Sequence, residues 1–201
     1  MIPSRLTNAV ILAAGRSTRM GEQKLLMPFN GMPMVDFVIK TVLSCKFDAT
    51  SVVVSRETLS YLTPITGADY IVNPYPGRGK DSSFHCALSV LPANSSFAVF
   101  LADKPTITAE QTMELRRRFE FLSAEKAEKN ALVPLKGNET GHPAFYSYLW
   151  RGRFLNSNGN GSARATIFRH GKDVEWAEED ACVNENCFLD VDTTEDYRWL
   201  C

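Results

Sequence analysis

A basic loop that directly follows an apolar segment carries the first group of residues suited to chemistry. The apolar run Ala9 to Ala14 ends at Gly15, which permits a sharp turn and a close backbone approach to a ligand. The cations and hydroxyl groups of the loop are Arg16, Ser17, Thr18, Arg19 and Lys24. Because cations, hydroxyls and main-chain N–H groups together bind phosphate, we predict a buried strand that leads into a phosphate-binding loop.

Two common phosphate-binding motifs do not fit this loop. The dinucleotide motif G-x-G-x-x-G needs a third glycine, whereas the loop contains only Gly15 and Gly21. The Walker A motif ends in Gly-Lys-Ser/Thr, but Lys24 lies between Gln23 and Leu25. The alternative interpretation is that Gly15 merely ends the strand and the charges form a solvated surface.

Acidic residues follow two further apolar segments. Asp103 comes shortly after the run Phe97 to Leu101, and a carboxylate at the carboxyl end of a central strand, beside a phosphate loop, is well placed to hold Mg²⁺. Asp190 and Asp192 lie in a predicted last strand, Phe188 to Asp192, in which alternate residues point to the same side. The structural alternatives are a turn aspartate for Asp103 and a helix cap for Asp192.

A glycine- and proline-rich loop after Asn73 opens a predicted helix near Asp81, Ser82 or Ser83. Free N–H groups at a helix start, together with short hydroxyl side chains, suit either a cap or the polar edge of a ligand. Both uses are open for the residues at this helix start.

The intervening segments predict the elements that position these residues. Helical periodicity covers Met34 to Ser44 and Thr108 to Lys129, and the second helix has Met113, Leu115, Phe119 and Leu122 as predicted inward positions. Further strands are predicted at Ser51 to Ser55, Tyr70 to Val72, Ala131 to Leu135 and Pro143 to Ser147, and a short helix is predicted near Ala163. This alternation of strands and helices predicts an α/β fold with a mostly parallel sheet.

Composition limits the class of protein. The 201 residues are 44% hydrophobic, which predicts a single domain over residues 1–201 with a substantial core. The net charge of −1 does not favour nucleic acid or a membrane surface as the main partner. The apolar runs are shorter than a membrane span, and no secretion signal is recognisable near the first residues, so a cytoplasmic location is expected. The five cysteines include no C-x-x-C pair and are expected to be reduced.

Several segments, taken together and in order, resemble a known enzyme family. The string from Leu12 to Leu26, L-A-A-G-x-S-x-R-M-G-x-x-K-L-L, resembles the signature of the nucleotidyltransferases that include the molybdenum cofactor cytidylyltransferases. Similar matches are LADKPTIT around Asp103, Gly141-His142-Pro143, the segment ending in Ala163-Arg164, and LDVDTTEDY around Asp192. Lys80, Asp81, Lys104, Asn160 and Ser162 depart from the family pattern.

The resemblance implies a three-layer α/β/α sandwich, Rossmann-like, of the nucleotide-diphospho-sugar transferase type. It implies catalytic roles for Arg19, Lys24, Asp103 and Asp192, with Asp103 and Asp192 as ligands of Mg²⁺ and Asp190 as a weaker candidate. The implied nucleotide-binding residues are Leu12, Ala13, Ala14, Gly15, Arg16, Ser17, Lys24, Gly79, Ser83 and Asp103. His142 and Arg164 are the implied acceptor-binding residues.

The implied reaction transfers CMP from CTP to a phosphorylated acceptor, with release of pyrophosphate. Ala14 favours CTP over GTP, and the acceptor implied by the resemblance is molybdenum-bound molybdopterin, with a molybdoenzyme or its chaperone as a further partner. Transfer of a guanylyl group, transfer to a sugar or polyol phosphate, and a non-catalytic role in binding a nucleotide or cofactor are the alternatives.

Overall fold

The computed structural model describes residues 7–15, 23–125, 129–156 and 162–200. Its strands are β1 (Thr7–Ala13), β2 (Pro28–Phe29), β3 (Met32–Pro33), β4 (Thr50–Ser55), β5 (Asp69–Asn73), β6 (Ser96–Leu101), β7 (Ala131–Lys136), β8 (Glu139–Thr140), β9 (Ala144–Tyr146) and β10 (Val174–Ala177). Its α-helices are α1 (Met34–Ser44), α2 (Arg56–Tyr61), α3 (Lys80–Val90), α4 (Ala109–Glu125), α5 (Leu149–Leu155), α6 (Ala163–Arg169) and α7 (Thr194–Leu200).

The main sheet has the strand order β10-β7-β9-β6-β1-β4-β5, with β8 paired to β7. Strand β1 is parallel to both β4 and β6, β4 is parallel to β5, and β10 is parallel to β7. Strand β9 runs antiparallel to its neighbours β6 and β7. Strands β2 and β3 form a separate antiparallel pair. The predicted mostly parallel α/β sheet is therefore confirmed.

Alternating side chains of the central strands build two cores, one on each face of the sheet. In β1, Ala9 and Ile11 pack in the core beneath α1 and α4, whereas Val10 packs in the core beneath α3, α5 and α6. This period of two is the geometry of a strand covered on both faces. Helix α1 buries Val35 and Val38, together with Ile39 and Val42, at helical spacing on one face. The molecule thus has the three layers that the sequence resemblance implies.

The segment before α7 differs from the prediction. Residues 188–192 form no strand; a short 3-10 helix, Glu185–Cys187, precedes a segment without regular secondary structure. Helix α7 packs against the β2–β3 hairpin, and Tyr197 Oη donates to Pro28 O at 2.6 Å. This contact holds the end of the described chain near the start of α1.

Two other predictions need correction. Met113 is 55% exposed, whereas Leu115, Phe119 and Leu122 are buried as predicted. Strand β10 was not predicted, although it pairs with β7 over its whole length. Within the described residues, no helix is both long enough and apolar enough to cross a membrane.

Candidate active site

The carboxyl ends of β1 and β6 place the basic loop and Asp103 at the same edge of the sheet. Leu12 and Leu101 are paired in the parallel register, and the Ala102 N–H donates to Leu12 O at 3.1 Å. Gly15 follows β1 and Asp103 follows β6, so both leave the sheet side by side. Ligands of open α/β sheets bind at this edge.

Lys24 joins the two predicted metal ligands. Its Nζ atom lies 2.9 Å from Asp103 Oδ2 and 2.9 Å from Asp192 Oδ1. The same ammonium donates to Val191 O at 2.6 Å. Three oxygen atoms from two distant parts of the chain therefore converge on one cation.

Backbone contacts and a helix cap bring Asp192 to this place. The Val191 N–H donates to Asp103 O at 2.9 Å, which fixes the segment to the turn after β6. Thr193 Oγ1 accepts from the Asp196 N–H at 3.1 Å, and Asp196 Oδ2 accepts from the Thr193 N–H at 2.7 Å. These reciprocal bonds form a capping box at the start of α7. Because Thr193 and Asp196 cap the helix, the Asp192 carboxylate is left to contact Lys24.

Asp190 and Asp192 contact different lysines, contrary to their predicted positions on one side of a strand. Asp190 Oδ2 lies 4.0 Å from Lys104 Nζ, whereas Asp192 contacts Lys24. The alternation expected of a strand does not apply to this irregular segment. Asp190 therefore belongs to a neighbouring cavity and not to the Lys24 cluster.

The electrostatics of the cluster favour a bound cation. Burial alone would lower the pKa of Lys24, but Asp103 and Asp192 outweigh burial, so its pKa is raised. Two carboxylates and a carbonyl oxygen fit a divalent ion whose remaining ligands come from phosphate and water. Among the described residues, no group of three or more His, Cys, Asp or Glu side chains could hold a metal ion. A metal here would consequently depend on its substrate for further ligands.

A cavity of about 440 Å³ opens beside this cluster. Seven of the predicted nucleotide-binding residues line it: Leu12, Ala14, Gly15, Lys24, Gly79, Ser83 and Asp103. Ala13 does not line it, because its side chain is buried in the core beneath α1. Arg16, Ser17 and Arg19 lie outside the described residues, so their predicted roles remain predictions. We call this space the nucleotide-side cavity.

The wall of the nucleotide-side cavity is organised by the start of α3. Gly79 has a φ of +85°, a conformation that favours glycine. Ser83 is 4% exposed, and its Oγ accepts from Asn73 Nδ2 at 3.0 Å. Asn73 Oδ1 in turn accepts from the Tyr75 N–H at 2.8 Å, which closes the turn before Pro76. Asn73 was not singled out in the sequence, although an asparagine between a strand and a proline is typical of such a turn.

A second cavity of about 350 Å³ adjoins the first and is lined by both predicted acceptor residues, His142 and Arg164. Leu12, Lys80 and Leu101 line both cavities. We call the second space the acceptor-side cavity. The two cavities therefore adjoin each other along these three residues.

His142 is a neutral residue in this setting. Burial lowers its pKa to about 4, despite a contact between Nδ1 and Val99 O at 3.1 Å. Because a carbonyl oxygen can only accept, Nδ1 carries the proton and Nε2 is left as an acceptor. His142 thus offers the acceptor-side cavity a hydrogen-bond acceptor and no positive charge.

The turn after β6 also places Lys104 in the wall of the acceptor-side cavity. Its side chain is 6% exposed, and its ammonium donates to Phe188 O. Burial lowers the pKa of Lys104, and the carboxylates of Asp190 and Asp103 only partly oppose this effect. A buried lysine whose ion-pair partner lies 4.0 Å away, beyond hydrogen-bond distance, is energetically costly, which makes Lys104 a candidate functional residue.

Comparison with known proteins identifies the family. The sequence profile of the MobA-like NTP transferase domain matches residues 9–174. The chain belongs to the MobA-like NTP transferase family. Membership of this family of nucleotidyltransferases confirms the general class predicted from the motifs.

Two curated relatives show how far this similarity extends. The bifunctional protein GlmU of Shouchella clausii is 33% identical over 129 residues, which cover 63% of this chain and 28% of GlmU. The 2-aminoethylphosphonate cytidylyltransferase of Lancefieldella rimae is 34% identical over 100 residues, covering 45% of this chain and 41% of the relative. The MobA-like chain therefore spans less than half the length of either relative.

Solved structures share the fold over nearly the whole MobA-like chain. Rv0371c from Mycobacterium tuberculosis H37Rv has a TM-score of 0.81 at 22% identity, covering 99% of this chain and 98% of that protein. A structure of Rv0371c in complex with manganese has a TM-score of 0.74 at 21% identity, with 97% of each chain covered. The nucleotidyltransferase fold is therefore common to these proteins.

Two residues of the MobA-like site were missed or undervalued in the sequence. Lys80 lines both cavities, and Tyr146 lines the acceptor-side cavity with 3% of its surface exposed. Tyr146 lies on β9, whose antiparallel pairing has no signal in the local sequence. Lys80 could have been found from its position at the start of a helix after a glycine loop.

Proposed function

We propose that this MobA-like protein transfers CMP from CTP to a phosphorylated acceptor, for which molybdenum-bound molybdopterin is the first candidate. The observation that carries this proposal is the convergence of Asp103 and Asp192 on Lys24 Nζ at 2.9 Å each, at the edge of the nucleotide-side cavity. Such a cluster can neutralise the charge of a triphosphate and of its pyrophosphate leaving group.

Mg²⁺ is the proposed metal, held by Asp103 and Asp192. The manganese in the complex of Rv0371c, a protein of the same fold, supports a divalent ion in principle. When bound, the ion supplies Lewis-acid stabilisation of charge on phosphate oxygens. Asp103 is 8% exposed and held by its backbone bond to Val191, so its carboxylate is positioned in advance.

The proposed step is an in-line displacement at the α-phosphorus. An oxygen of the acceptor phosphate forms the new bond to phosphorus, while the bond to the bridging oxygen breaks and pyrophosphate leaves with its electron pair. A phosphate nucleophile is already ionised near neutral pH, so no dedicated general base is required. Lys24 orients and neutralises the phosphates, together with the loop residues Arg16, Ser17 and Arg19 proposed from the sequence.

The choice of CTP rests on the sequence and on one relative. The motif Leu12-Ala13-Ala14-Gly15 resembles the cytidylyl branch of the superfamily, and the relative from Lancefieldella rimae is named as a cytidylyltransferase. That relative's acceptor is a phosphonate, whereas GlmU is a bifunctional protein of which this chain matches only a part. A small phosphonate or a sugar phosphate is therefore the second acceptor class to test.

Pyrophosphate release tests the proposal directly. The purified protein would be incubated with Mg²⁺ and each of CTP, GTP, ATP and UTP, with and without molybdenum cofactor, 2-aminoethylphosphonate or a hexose 1-phosphate. We expect release with CTP that depends on one acceptor. Release of pyrophosphate with GTP alone would show that the transferred group is GMP and not CMP. Nucleotide binding without pyrophosphate release in any mixture would favour a nucleotide-binding protein without transferase activity.

A further inference from the structure

Lys104 occupies an unusual environment for a lysine. Its side chain is 6% exposed, yet the carboxylate oxygen Asp190 Oδ2 is 4.0 Å away from its Nζ, beyond hydrogen-bond distance. Among the described residues its ammonium has one hydrogen bond, to Phe188 O. An ammonium has three N–H donors, so Lys104 retains donor capacity at the wall of the acceptor-side cavity.

Lys80 brings a second cation to the same cavity. It is the first residue of α3, and its side chain lines both the acceptor-side and the nucleotide-side cavity. Its Nζ lies 3.9 Å from Asp103 Oδ2, and its side chain is 61% exposed. Such an exposed pair contributes little to stability, so its loss to a ligand that binds Lys80 would cost the fold little.

Both lysines line the acceptor-side cavity, so two like charges border the same space. Three acids, Asp81, Glu139 and Asp190, also line this cavity. Asp81 Oδ1 accepts from the Ala163 N–H at 3.0 Å, and Asp190 Oδ2 lies 4.0 Å from Lys104 Nζ, beyond hydrogen-bond distance. Two like charges beside one cavity are more stable when an anion lies between them.

The rest of the acceptor-side cavity suits an organic molecule that carries one anionic group. Its floor includes the apolar side chains of Leu12 and Val99. Tyr146 is 3% exposed and lines the same cavity. A tyrosine hydroxyl at a cavity wall can donate a hydrogen bond to a ligand.

We propose that Lys80 and Lys104 form an oxyanion seat that binds the phosphate-type group of the acceptor at the junction of the two cavities. This inference rests on the proposed transferase function and assigns the acceptor a tetrahedral oxyanion on a partly apolar body. Lys104 contacts the oxyanion from the wall of the acceptor-side cavity. Lys80 contacts it from the place where the acceptor-side and nucleotide-side cavities meet. The seat places an acceptor oxygen next to Asp103, where the attack must occur.

Binding titrations test the seat without any turnover. Ethyl phosphate would be titrated calorimetrically into the wild-type protein, Lys104→Met, Lys80→Met and the control Lys40→Met, whose exposed lysine on α1 lines neither cavity. Methionine keeps the length of the lysine side chain, and thermal melting checks that each variant is folded. MgCTP would be titrated into the same four proteins to separate the acceptor seat from the triphosphate site.

We expect Lys104→Met and Lys80→Met to weaken ethyl phosphate binding by about 10- to 100-fold, the loss typical of a charge-assisted hydrogen bond. Lys40→Met should bind like the wild type, and Lys104→Met should bind MgCTP within about threefold of the wild type. Equal binding of ethyl phosphate by all four proteins, or no binding by the wild type at millimolar concentration, would overturn the seat. An equal loss of MgCTP and ethyl phosphate in Lys104→Met would overturn it as well. Because these titrations need no reaction, failure of the seat and failure of the transferase proposal are separate outcomes.

Discussion

Asp103 and Asp192 lie far apart in the sequence but contact the same nitrogen atom, Lys24 Nζ, at 2.9 Å each. Asp103 and Asp192 would hold the proposed divalent ion. Such an ion would compete with Lys24 for the same carboxylate oxygens, and Lys24 would then neutralise the phosphate groups. This competition can be tested by substituting the residues of the cluster.

Replacing Asp103 should affect rate more than nucleotide binding. Asp103→Asn keeps the size of the side chain but removes the charge that holds the proposed Mg²⁺, so kcat should fall by about 100-fold or more. The affinity for CTP, measured calorimetrically, should change far less. The matched control is Asp69→Asn, at an exposed position of β5. Near-normal pyrophosphate release by Asp103→Asn would contradict the assignment.

Removing the lysine should make the protein more dependent on metal. Lys24→Met leaves the buried Asp103 carboxylate without its cation and should reduce the free energy of unfolding by about 2 kcal/mol in the presence of a chelator. Added Mg²⁺ should raise the melting temperature of the variant more than that of the wild type, because no lysine competes with it. Equal shifts in both proteins would show that the ion binds elsewhere.

His142 should make the fold sensitive to acid. Its folded-state pKa of about 4 lies below the ordinary value of 6.5, so the unfolded chain binds the proton first. The stability contribution is complete above pH 6.5 and is lost as the pH falls toward 4. In His142→Asn, whose amide can still donate to Val99 O, denaturant titrations should show a smaller loss over this range. An identical pH profile for both proteins would refute the neutral, buried state.

The capping box should support the position of Asp192. Thr193→Ala removes the hydroxyl that accepts from the Asp196 N–H and should cost about 1 kcal/mol of stability, measured by urea unfolding. It should also lower kcat, because the adjacent Asp192 loses part of its support. Thr193→Ser, which keeps the hydroxyl, is the control and should behave like the wild type. Unchanged turnover in Thr193→Ala would show that the capping box does not support the position of Asp192.

Gly141 should not tolerate a side chain. A Cβ at this position would lie 2.9 Å from Cys187 O and 2.9 Å from Phe188 Cε1, so the segment that supplies the Lys104 partner would have to move. We expect Gly141→Ala to lose about 1–3 kcal/mol in chemical denaturation. Gly152→Ala in α5, where a Cβ meets nothing within 4 Å, should be neutral or slightly more stable. Similar stabilities for the two variants would refute the close approach.

The regular elements could be predicted from the sequence because their signals are local. Helix α1 has the predicted bounds, and the cores of β1, β4 and β6 are continuous apolar runs of the kind that parallel sheets bury. Met113 was misplaced because Leu115 and Phe119, with Thr112 one turn earlier, define the buried face of α4. Thr112 is polar, and its burial depends on tertiary packing that no local pattern reveals.

The site was less predictable where it depends on long-range contacts. The segment before Asp192 was predicted as a strand from its alternation. It is held instead by long-range contacts, namely the backbone bond from Val191 to Asp103, the bonds that Lys24 and Lys104 donate to its carbonyl oxygens, and the packing of α7. Strand β10 is only four residues long and becomes recognisable only through its pairing with β7. The placement of Lys80 and Tyr146 at one cavity likewise follows from strand order and not from sequence spacing.

The residues common to the two cavities limit how the protein can be redesigned. Leu12 and Leu101 line both cavities. Replacing either leucine by a larger or smaller residue would therefore change the shapes of the proposed nucleotide site and the proposed acceptor site together. A variant that accepts another base while keeping its acceptor must instead be sought at Gly77 and Ser83, which border only the nucleotide side.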